Sequence, residues 1–345
     1  MARLDFFRLQ THRCTTDNPR QMKIDPTAFE LYRRSPNRKT TLLRLIIGVL
    51  IIVAAWLIVT FALLFGGAYA FTLLDQGTLT FNQGGVLERF MGSQVGVAVT
   101  LATFSGIWIG VWIAMRFVHA EPLNHLFGNS RRLLRRGFAK GLLAVLLTSA
   151  LTEIGLYVMV PEIGRGPISL PVWLLFVVPV LLLAFVQISS EEILFRGYLM
   201  RGLAHRFRSP WVWAVLPTLA FTSLHWNASS PPAMSIAVII SIGGFAVLLA
   251  LLVYMTGNLG AAMGAHLGNN VVGFLLISHE STLGSLALFR SPPLDSLAWT
   301  ASQAVAVTAM SLASVALTTL LLLHPRSPLK VEPDLGDDPA SPSQP

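Results

Sequence analysis

Charged residues and cysteines are both scarce in this chain. Charged side chains make up 12% of its 345 residues, about half the share found in a typical soluble domain. Cys14 is the single cysteine, which excludes a disulfide framework and a metal cluster held by thiolates. Hydrophobic residues, at 53%, take the place of the missing charge. The composition therefore favours a membrane protein over a soluble enzyme.

Eight apolar segments are long enough, or nearly so, to cross a lipid bilayer as helices, which takes about 20 residues. They cover residues 45–70, 94–115, 141–160, 171–198, 211–228, 235–255, 258–279 and 299–323. We therefore expect an all-α, polytopic integral membrane protein with about eight transmembrane helices in residues 45–323. Residues 1–44 should form a basic cytoplasmic segment. Residues 324–345, rich in Pro, Ser and Asp, should form a disordered tail.

Lysine and arginine residues cluster beside the apolar segments. Ten of the 25 lie in residues 1–44, and six more lie between Arg116 and Lys140. Because basic residues concentrate in cytoplasmic loops, this pattern predicts that both termini are cytoplasmic. The clusters also suit contact with anionic membrane lipids. Since no basic face carries interleaved aromatic residues, we expect no nucleic-acid partner.

Four polar side chains lie inside or at the edges of these apolar segments: Glu191, Glu192, His225 and His266. A charge at the centre of a membrane helix costs roughly 3 kcal/mol, so such residues usually face a protein interior or a watery cavity. Acids and imidazoles are also the groups that activate water in enzymes. These residues therefore indicate a functional site.

The two glutamates are predicted to have different roles. On a helix, adjacent side chains diverge by about 100°. Glu192 and Arg196 have i,i+4 spacing, so we expect an ion pair between them on one helix face. Glu191 is left without a local cation, which suits it to take a proton from water as a general base. The alternative is that both glutamates only cap the segment at the cytoplasmic interface.

Two histidines and an asparagine complete the predicted site. His225 lies near the end of the fifth segment, and His266 and Asn270 project from one face of the seventh. With Glu191 they would make a hydrolytic centre in which His225 and His266 are metal ligands or oxyanion donors. The alternatives are a polar handle at the interface for His225 and an interhelical hydrogen bond for His266 and Asn270. A row of small residues predicts close helix contact around this site: Gly257, Gly260, Gly264 and Gly268.

This site has one geometric condition. If all segments span the membrane, Glu191 lies near the cytoplasmic end of its helix and His225 near the outer end of the next. Helices of about 20 residues would separate these side chains by roughly 30 Å, too far for one site. Either the fourth helix places Glu191 deeper, or the fifth stops at mid-membrane.

Three short motifs carry a family resemblance. Glu191-Glu192 with Arg196, Phe221 with His225, and His266 with Asn270 resemble, in order and spacing, the motifs of the CPBP family, the CAAX proteases and bacteriocin-processing (Abi) membrane proteins. The resemblance covers about residues 175–275. It implies a helical intramembrane endopeptidase of the metalloprotease-like type, in which Glu191 activates water and Glu192 and Arg196 stand alongside.

The same resemblance implies that His225, His266 and Asn270 bind zinc or stabilise the oxyanion. It also implies a protein or peptide substrate, lipid-modified in the CAAX-processing members, and favours a bacterial cell membrane as the location. Two other functions remain open from the residues. One is a non-catalytic immunity or scaffold protein that binds peptide in the same cavity. The other is a proton-coupled carrier using Glu153, Glu191 and Glu192, against which the absence of internal repeats counts.

Overall fold

The computed structural model describes residues 26–35, 39–74, 85–159, 161–280 and 283–336. Within these ranges the chain is mainly helical, in keeping with the all-α expectation. The helices are α1 Thr27–Tyr32, α2 Leu42–Leu74, α3 Val86–Gly92, α4 Gln94–His119, α5 Arg135–Met159, α6 Leu170–Arg206, α7 Trp211–Ser223, α8 Pro232–Thr256, α9 Gly260–Val271 and α10 Ala301–Leu323.

Six of these helices, α2, α4, α5, α6, α8 and α10, are long and apolar enough to cross a membrane. In a bilayer only helices and closed barrels satisfy all backbone hydrogen bonds, so long apolar runs such as these form helices. Local signals set their starts: the Ser93 hydroxyl accepts a hydrogen bond from the Gly96 amide, and Thr300 forms a capping box with Gln303. The predicted class, an all-α polytopic membrane protein, is confirmed.

The other two predicted segments form shorter helices, so the count of eight spans stays a prediction. Helix α7 ends at Ser223, and α9 passes into a wider turn, Val272–Leu276. Every residue of α9 from Gly260 to Gly268 is buried. Its many Gly and Ala residues give little apolar surface to lipid but allow neighbouring helices to pack closely around it.

Helix α9 lies directly against α5, as the glycine row predicts. A Cβ atom at Gly264 would collide with the carbonyl oxygen of Phe138, and one at Gly268 would lie 3.0 Å from that of Leu142. Any larger residue at Gly264 would therefore push the backbones apart. Because the numbers of the contacting residues increase together along both helices, α5 and α9 run side by side in the same direction.

The described N-terminal and C-terminal segments lie on one face of the bundle. Asn129 donates hydrogen bonds to the carbonyl oxygens of Ala28, at 2.8 Å, and Asp334, at 2.6 Å. The Asp334 carboxylate accepts from the Ser130 hydroxyl at 2.8 Å and from the Asn258 amide at 2.7 Å. Since Asn258 precedes α9, this network ties the C-terminal segment to the start of that helix.

The expectation of a disordered tail over residues 324–345 is therefore wrong for residues 324–336, which pack on the bundle. Proline and aspartate lower the apolar content of this stretch, yet Val331 and Asp334 are both buried. Buried hydrogen bonds hold the segment in place together with Val331, which joins the hydrophobic core. Residues 337–345, and residues 1–25 and 36–38 of the predicted basic segment, lie outside the described residues.

The opposite end of the bundle carries three short strands, β1 Gly164–Arg165, β2 Ile277–Ser278 and β3 Phe289–Arg290. Strand β3 lies in the middle, antiparallel to β1 and parallel to β2. This pairing fixes the loop before α6 against the chain that leaves α9. Both helices carry predicted site residues.

We expect Asp334→Ala to lower the free energy of unfolding by about 2 kcal/mol, because it leaves the buried Asn258 amide without one of its acceptors. Thermal unfolding in detergent micelles measures this loss. Glu332→Gln is the matched control, since that side chain is largely exposed and lies 3.6 Å from Lys140; it should change stability by no more than about 0.5 kcal/mol. Equal melting temperatures for the two variants would contradict a structural role for Asp334.

Candidate active site

Helix α6 is long enough that Glu191 and Glu192 lie in its interior rather than at its end. At 1.5 Å per residue, Glu191 lies roughly 32 Å from Leu170 and roughly 22 Å from Arg206. Helix α7 is short and ends at Ser223, just before His225. The structure therefore meets both of the alternative conditions under which Glu191 and His225 can share one site. Glu191 does not lie at a helix end, and the fifth segment does not cross the full bundle.

Helix α6 changes its winding directly after the two glutamates. Residues Ile193–Met200 form a π-helical stretch, a rare conformation that occurs mostly as short bulges and frequently at functional sites. Arg196 lies within this stretch. The altered winding sets the direction in which the arginine leaves the helix relative to the glutamates before it.

Glu192, Arg196 and His266 form a buried chain of charge-assisted hydrogen bonds. Arg196 donates from Nη1 to Oε1 of Glu192 at 2.9 Å, as the i,i+4 spacing predicts. His266 Nδ1 lies 2.8 Å from the same oxygen. All three side chains are buried, so weak dielectric screening strengthens each contact. The carboxylate thus links α6 to α9.

Arg196 has further partners that hold it in place. Its Nη2 donates to the carbonyl oxygen of Ala246 on α8 at 3.2 Å. Its guanidinium lies over the Phe221 ring on α7, 4.7 Å from the centroid, as in a cation–π contact. One side chain therefore joins three helices around the glutamate pair.

Glu191 occupies a different environment from its neighbour. Its Oε2 lies 3.6 Å from Nε2 of His266, and Gln187 donates a hydrogen bond to its Oε1 at 3.3 Å. The imidazole of His266 therefore stands between the two glutamates, with one nitrogen toward each. With Nδ1 bonded to Glu192, Nε2 is the nitrogen left to exchange a proton near Glu191.

Gln187 is a site residue that the sequence analysis missed. It lies one helical turn before Glu191 and accepts a hydrogen bond at its Oε1 from the Asn270 amide at 3.4 Å. Asn270 thus reaches Glu191 through Gln187 rather than directly. The i−4 spacing from Glu191 was a readable signal, since a glutamine inside an otherwise apolar run needs a partner.

His225 reaches the site through Phe221. Its Nδ1 lies 3.1 Å from the carbonyl oxygen of Phe221, and the two rings pack with centroids 4.9 Å apart. The same phenylalanine ring stands edge-on to His266 at 6.0 Å. Phe221 therefore separates and orients the two imidazoles.

Glu191, His225, His266 and Asn270 all line one cavity of about 550 Å³. Glu192 and Arg196 lie behind this wall, buried against the helices. Farther along, the cavity is lined by Glu153 and His279, whose side chains pair at 3.2 Å. The acid that the sequence left unexplained in the third segment thus faces the same space as the predicted site.

The donor types of the site suit zinc, which binds imidazole nitrogen and carboxylate oxygen. Their arrangement does not. Over the described ranges, no group of three or more His, Cys, Asp or Glu side chains is placed to hold a metal ion. Glu191 and His266 are adjacent, but His225 is turned to the Phe221 backbone. The predicted ligand set of His225 and His266 with Glu191 is therefore not assembled here.

This geometry defines the class of protein: a helical membrane protein with a buried glutamate–histidine centre. Residues 171–272 match the model of a protein family described as type II CAAX prenyl endopeptidase Rce1-like. The matched range contains all three motifs, and it confirms the resemblance read from them. At the level of the family, the match supports a membrane endopeptidase.

A curated protein also aligns with most of this chain. It is the uncharacterized protein YyaK of Bacillus subtilis (strain 168), 25% identical over 248 residues, which cover 70% of this chain and 80% of that protein. No solved structure matches the chain.

We expect Arg196→Gln to destabilise the protein by about 3 kcal/mol, because it leaves a buried carboxylate at Glu192 without its cation. The double variant Glu192→Gln/Arg196→Gln should recover most of the loss, since a neutral amide can still accept from His266. Thermal unfolding in detergent measures both. Arg206→Gln, an exposed position at the end of the same helix, is the control and should be nearly neutral. A double variant no more stable than Arg196→Gln would contradict this account.

Proposed function

We propose that the protein hydrolyses peptide bonds inside the membrane, with Glu191 as the base that activates water. The observation that carries this proposal is the position of Glu191: it lines a cavity of about 550 Å³, next to His266 and without a cation of its own. The family match over residues 171–272 supports the same reaction class.

In the proposed reaction, Glu191 takes a proton from a water molecule bound beside Nε2 of His266. The oxygen of that water attacks the peptide carbonyl carbon, and the carbonyl oxygen becomes an oxyanion. The amide of Asn270 on the cavity wall is suited to donate to this oxyanion. The imidazole of His225 donates to it when protonated, because the Nδ1 hydrogen already faces the carbonyl oxygen of Phe221. The proton held by Glu191 then passes to the leaving amine as the C–N bond breaks, which restores the carboxylate.

Glu192 and Arg196 act behind the reacting groups in this proposal. The Glu192 carboxylate accepts at Oε1 from Nδ1 of His266 and so fixes which imidazole nitrogen faces Glu191. Arg196 pairs with Glu192 at 2.9 Å and so supplies the cation that this buried carboxylate needs. Both residues thus fix the orientation of His266 without touching substrate.

The proposed substrate is a protein or peptide that reaches the cavity from the membrane; a lipid-modified peptide is one such substrate. We further propose that the protein resides in a bacterial cell membrane with both termini cytoplasmic. Two observations support this orientation. Arg201, α1 and residues 324–336 lie on one face of the bundle. The basic loop that ends at Lys140 lies on the same face, and basic residues concentrate in cytoplasmic loops.

Glu191→Gln should reduce the rate of peptide cleavage by about 10³-fold, the scale of a lost general base, while leaving the melting temperature nearly unchanged. The measurement uses protein in lipid nanodiscs and quenched fluorescent peptides. Glu162→Gln removes the same charge at an exposed position outside the cavity and should cleave at the wild-type rate. Unchanged cleavage by Glu191→Gln would overturn the mechanism. Peptide binding by the wild type with no cleavage would instead indicate a binding protein.

Metal removal tests the zinc expectation separately. Because the described residues bring only two adjacent ligands together, we expect activity to survive dialysis against a chelator within about twofold, whereas a zinc protease treated in parallel loses its activity. Mass spectrometry of the purified protein should find well under one zinc per chain. Stoichiometric zinc, with activity lost on removal and restored on its return, would show that substrate or metal binding rearranges His225.

A further inference from the structure

The cavity has a second polar pair, away from Glu191. Nε2 of His279 lies 3.2 Å and 3.3 Å from the two carboxylate oxygens of Glu153. Glu153 belongs to α5, whereas His279 follows β2 on the chain that leaves α9. Their side chains remain 16% and 19% exposed, respectively. The two side chains therefore contact each other while both remain open to the cavity.

The permanent charges that line this cavity are carboxylates, and the three lining histidines add positive charge only when protonated. Its lining includes three carboxylates, Glu153, Glu191 and Glu280, while none of the described lining residues is a lysine or arginine. His279 offsets Glu153 only when the imidazole is protonated. Because apolar walls focus the field of such groups, the cavity attracts cations and repels carboxylates. Serine and threonine hydroxyls, among them Ser149 and Thr152, supply neutral partners near Glu153.

The glycine contacts between α5 and α9 allow the distance from His266 to Glu153 to be counted along α5. Gly264 lies against Phe138 and Gly268 against Leu142, so His266 is level with residue 140 of α5. Glu153 lies 13 residues farther along the same helix, which corresponds to roughly 20 Å. An extended peptide spans about 3.3–3.6 Å per residue, so about six residues bridge that distance.

We propose that Glu153, positioned by His279, is a recognition subsite for a cationic side chain of the substrate, about six residues from the bond that is cleaved. The proposal rests on the function proposed above, since the distance is counted from Glu191 and His266. The preferred substrate is then a peptide with a lysine or arginine at that position. Its chain continues from the cleaved bond along the cavity to Glu153.

The same charges disfavour the opposite arrangement. A substrate that placed its free C-terminal carboxylate at this end of the cavity would meet Glu153 and Glu280, and the described lining offers it neither lysine nor arginine. A carboxylate usually needs an arginine or lysine partner when it leaves water. An ammonium or guanidinium group would instead gain an ion pair with Glu153.

A binding measurement tests this subsite independently of catalysis. The probes are fluorescent peptides of 14 residues that differ at one position, which is lysine, norleucine or glutamate, and the position is scanned along the chain. The protein is Glu191→Gln in nanodiscs, so no cleavage occurs. We expect the lysine peptide to bind about tenfold tighter than the norleucine peptide at one position, and the glutamate peptide more weakly still.

Three variants in the Glu191→Gln background decide which residue is responsible. Adding Glu153→Gln should abolish the preference for lysine while leaving norleucine binding unchanged. Adding His279→Gln should weaken the preference without abolishing it, because the carboxylate remains but loses the imidazole that positions it. Adding Glu162→Gln, an equal charge change outside the cavity, should have no effect. Equal binding of all three peptides, or a lysine preference that survives Glu153→Gln, would overturn the proposal.

Cleavage by protein with Glu191 intact then separates this proposal from the proposed function. The lysine peptide should be cut about six residues from the lysine, with the preference expressed mainly in KM. Cleavage of lysine and norleucine peptides with equal KM would overturn the subsite and leave the endopeptidase standing. Selective binding of the lysine peptide without any cleavage would overturn the endopeptidase and leave the subsite standing.

Discussion

The arrangement of the motif helices depends on one buried carboxylate. Glu192 lies in the protein interior, where an unpaired charge would cost several kcal/mol. It is held by Arg196 from its own helix and by His266 from α9, and Arg196 in turn bonds the α8 backbone at Ala246. Because these partners come from different helices, the charge is stable only in the assembled bundle. The same requirement brings His266 next to Glu191.

Close packing makes this chain of contacts reachable. Helix α9 is built of Gly and Ala where it meets α5, and the collision expected from a Cβ at Gly264 indicates that the backbones touch. His266 can therefore reach across to α6 from a helix that is otherwise enclosed by protein. Helix α7 contributes by being short: it ends before His225 and places Phe221 between the two imidazoles. Helix lengths and small residues, more than loops, thus set the geometry of the cavity.

Local sequence spacing predicted part of this arrangement. The Glu192–Arg196 pair, the glycine contact and the helical class follow from i,i+4 periodicity, small-residue steps and apolar length, which are properties of single segments. The pairing of Nδ1 of His266 with Glu192 spans 74 residues, and that of Glu153 with His279 spans 126. Neither spacing has a local signature. The ordered stretch that contains Asp334 was missed because composition registers apolar content but not buried hydrogen bonds to Asn258 and Ser130.

The contrast between the two adjacent glutamates explains how one helix turn can serve both structure and chemistry. Oε1 of Glu192 is bonded to both an arginine and an imidazole, so this carboxylate links α6 to α9. Within the described ranges, the partners of Glu191 are a glutamine amide at 3.3 Å and the far nitrogen of the same imidazole at 3.6 Å. A carboxylate with so few strong donors, facing a cavity, retains lone pairs for water. The pairing of Glu192 thus leaves Glu191 as the carboxylate that can bind water, as the proposed reaction requires.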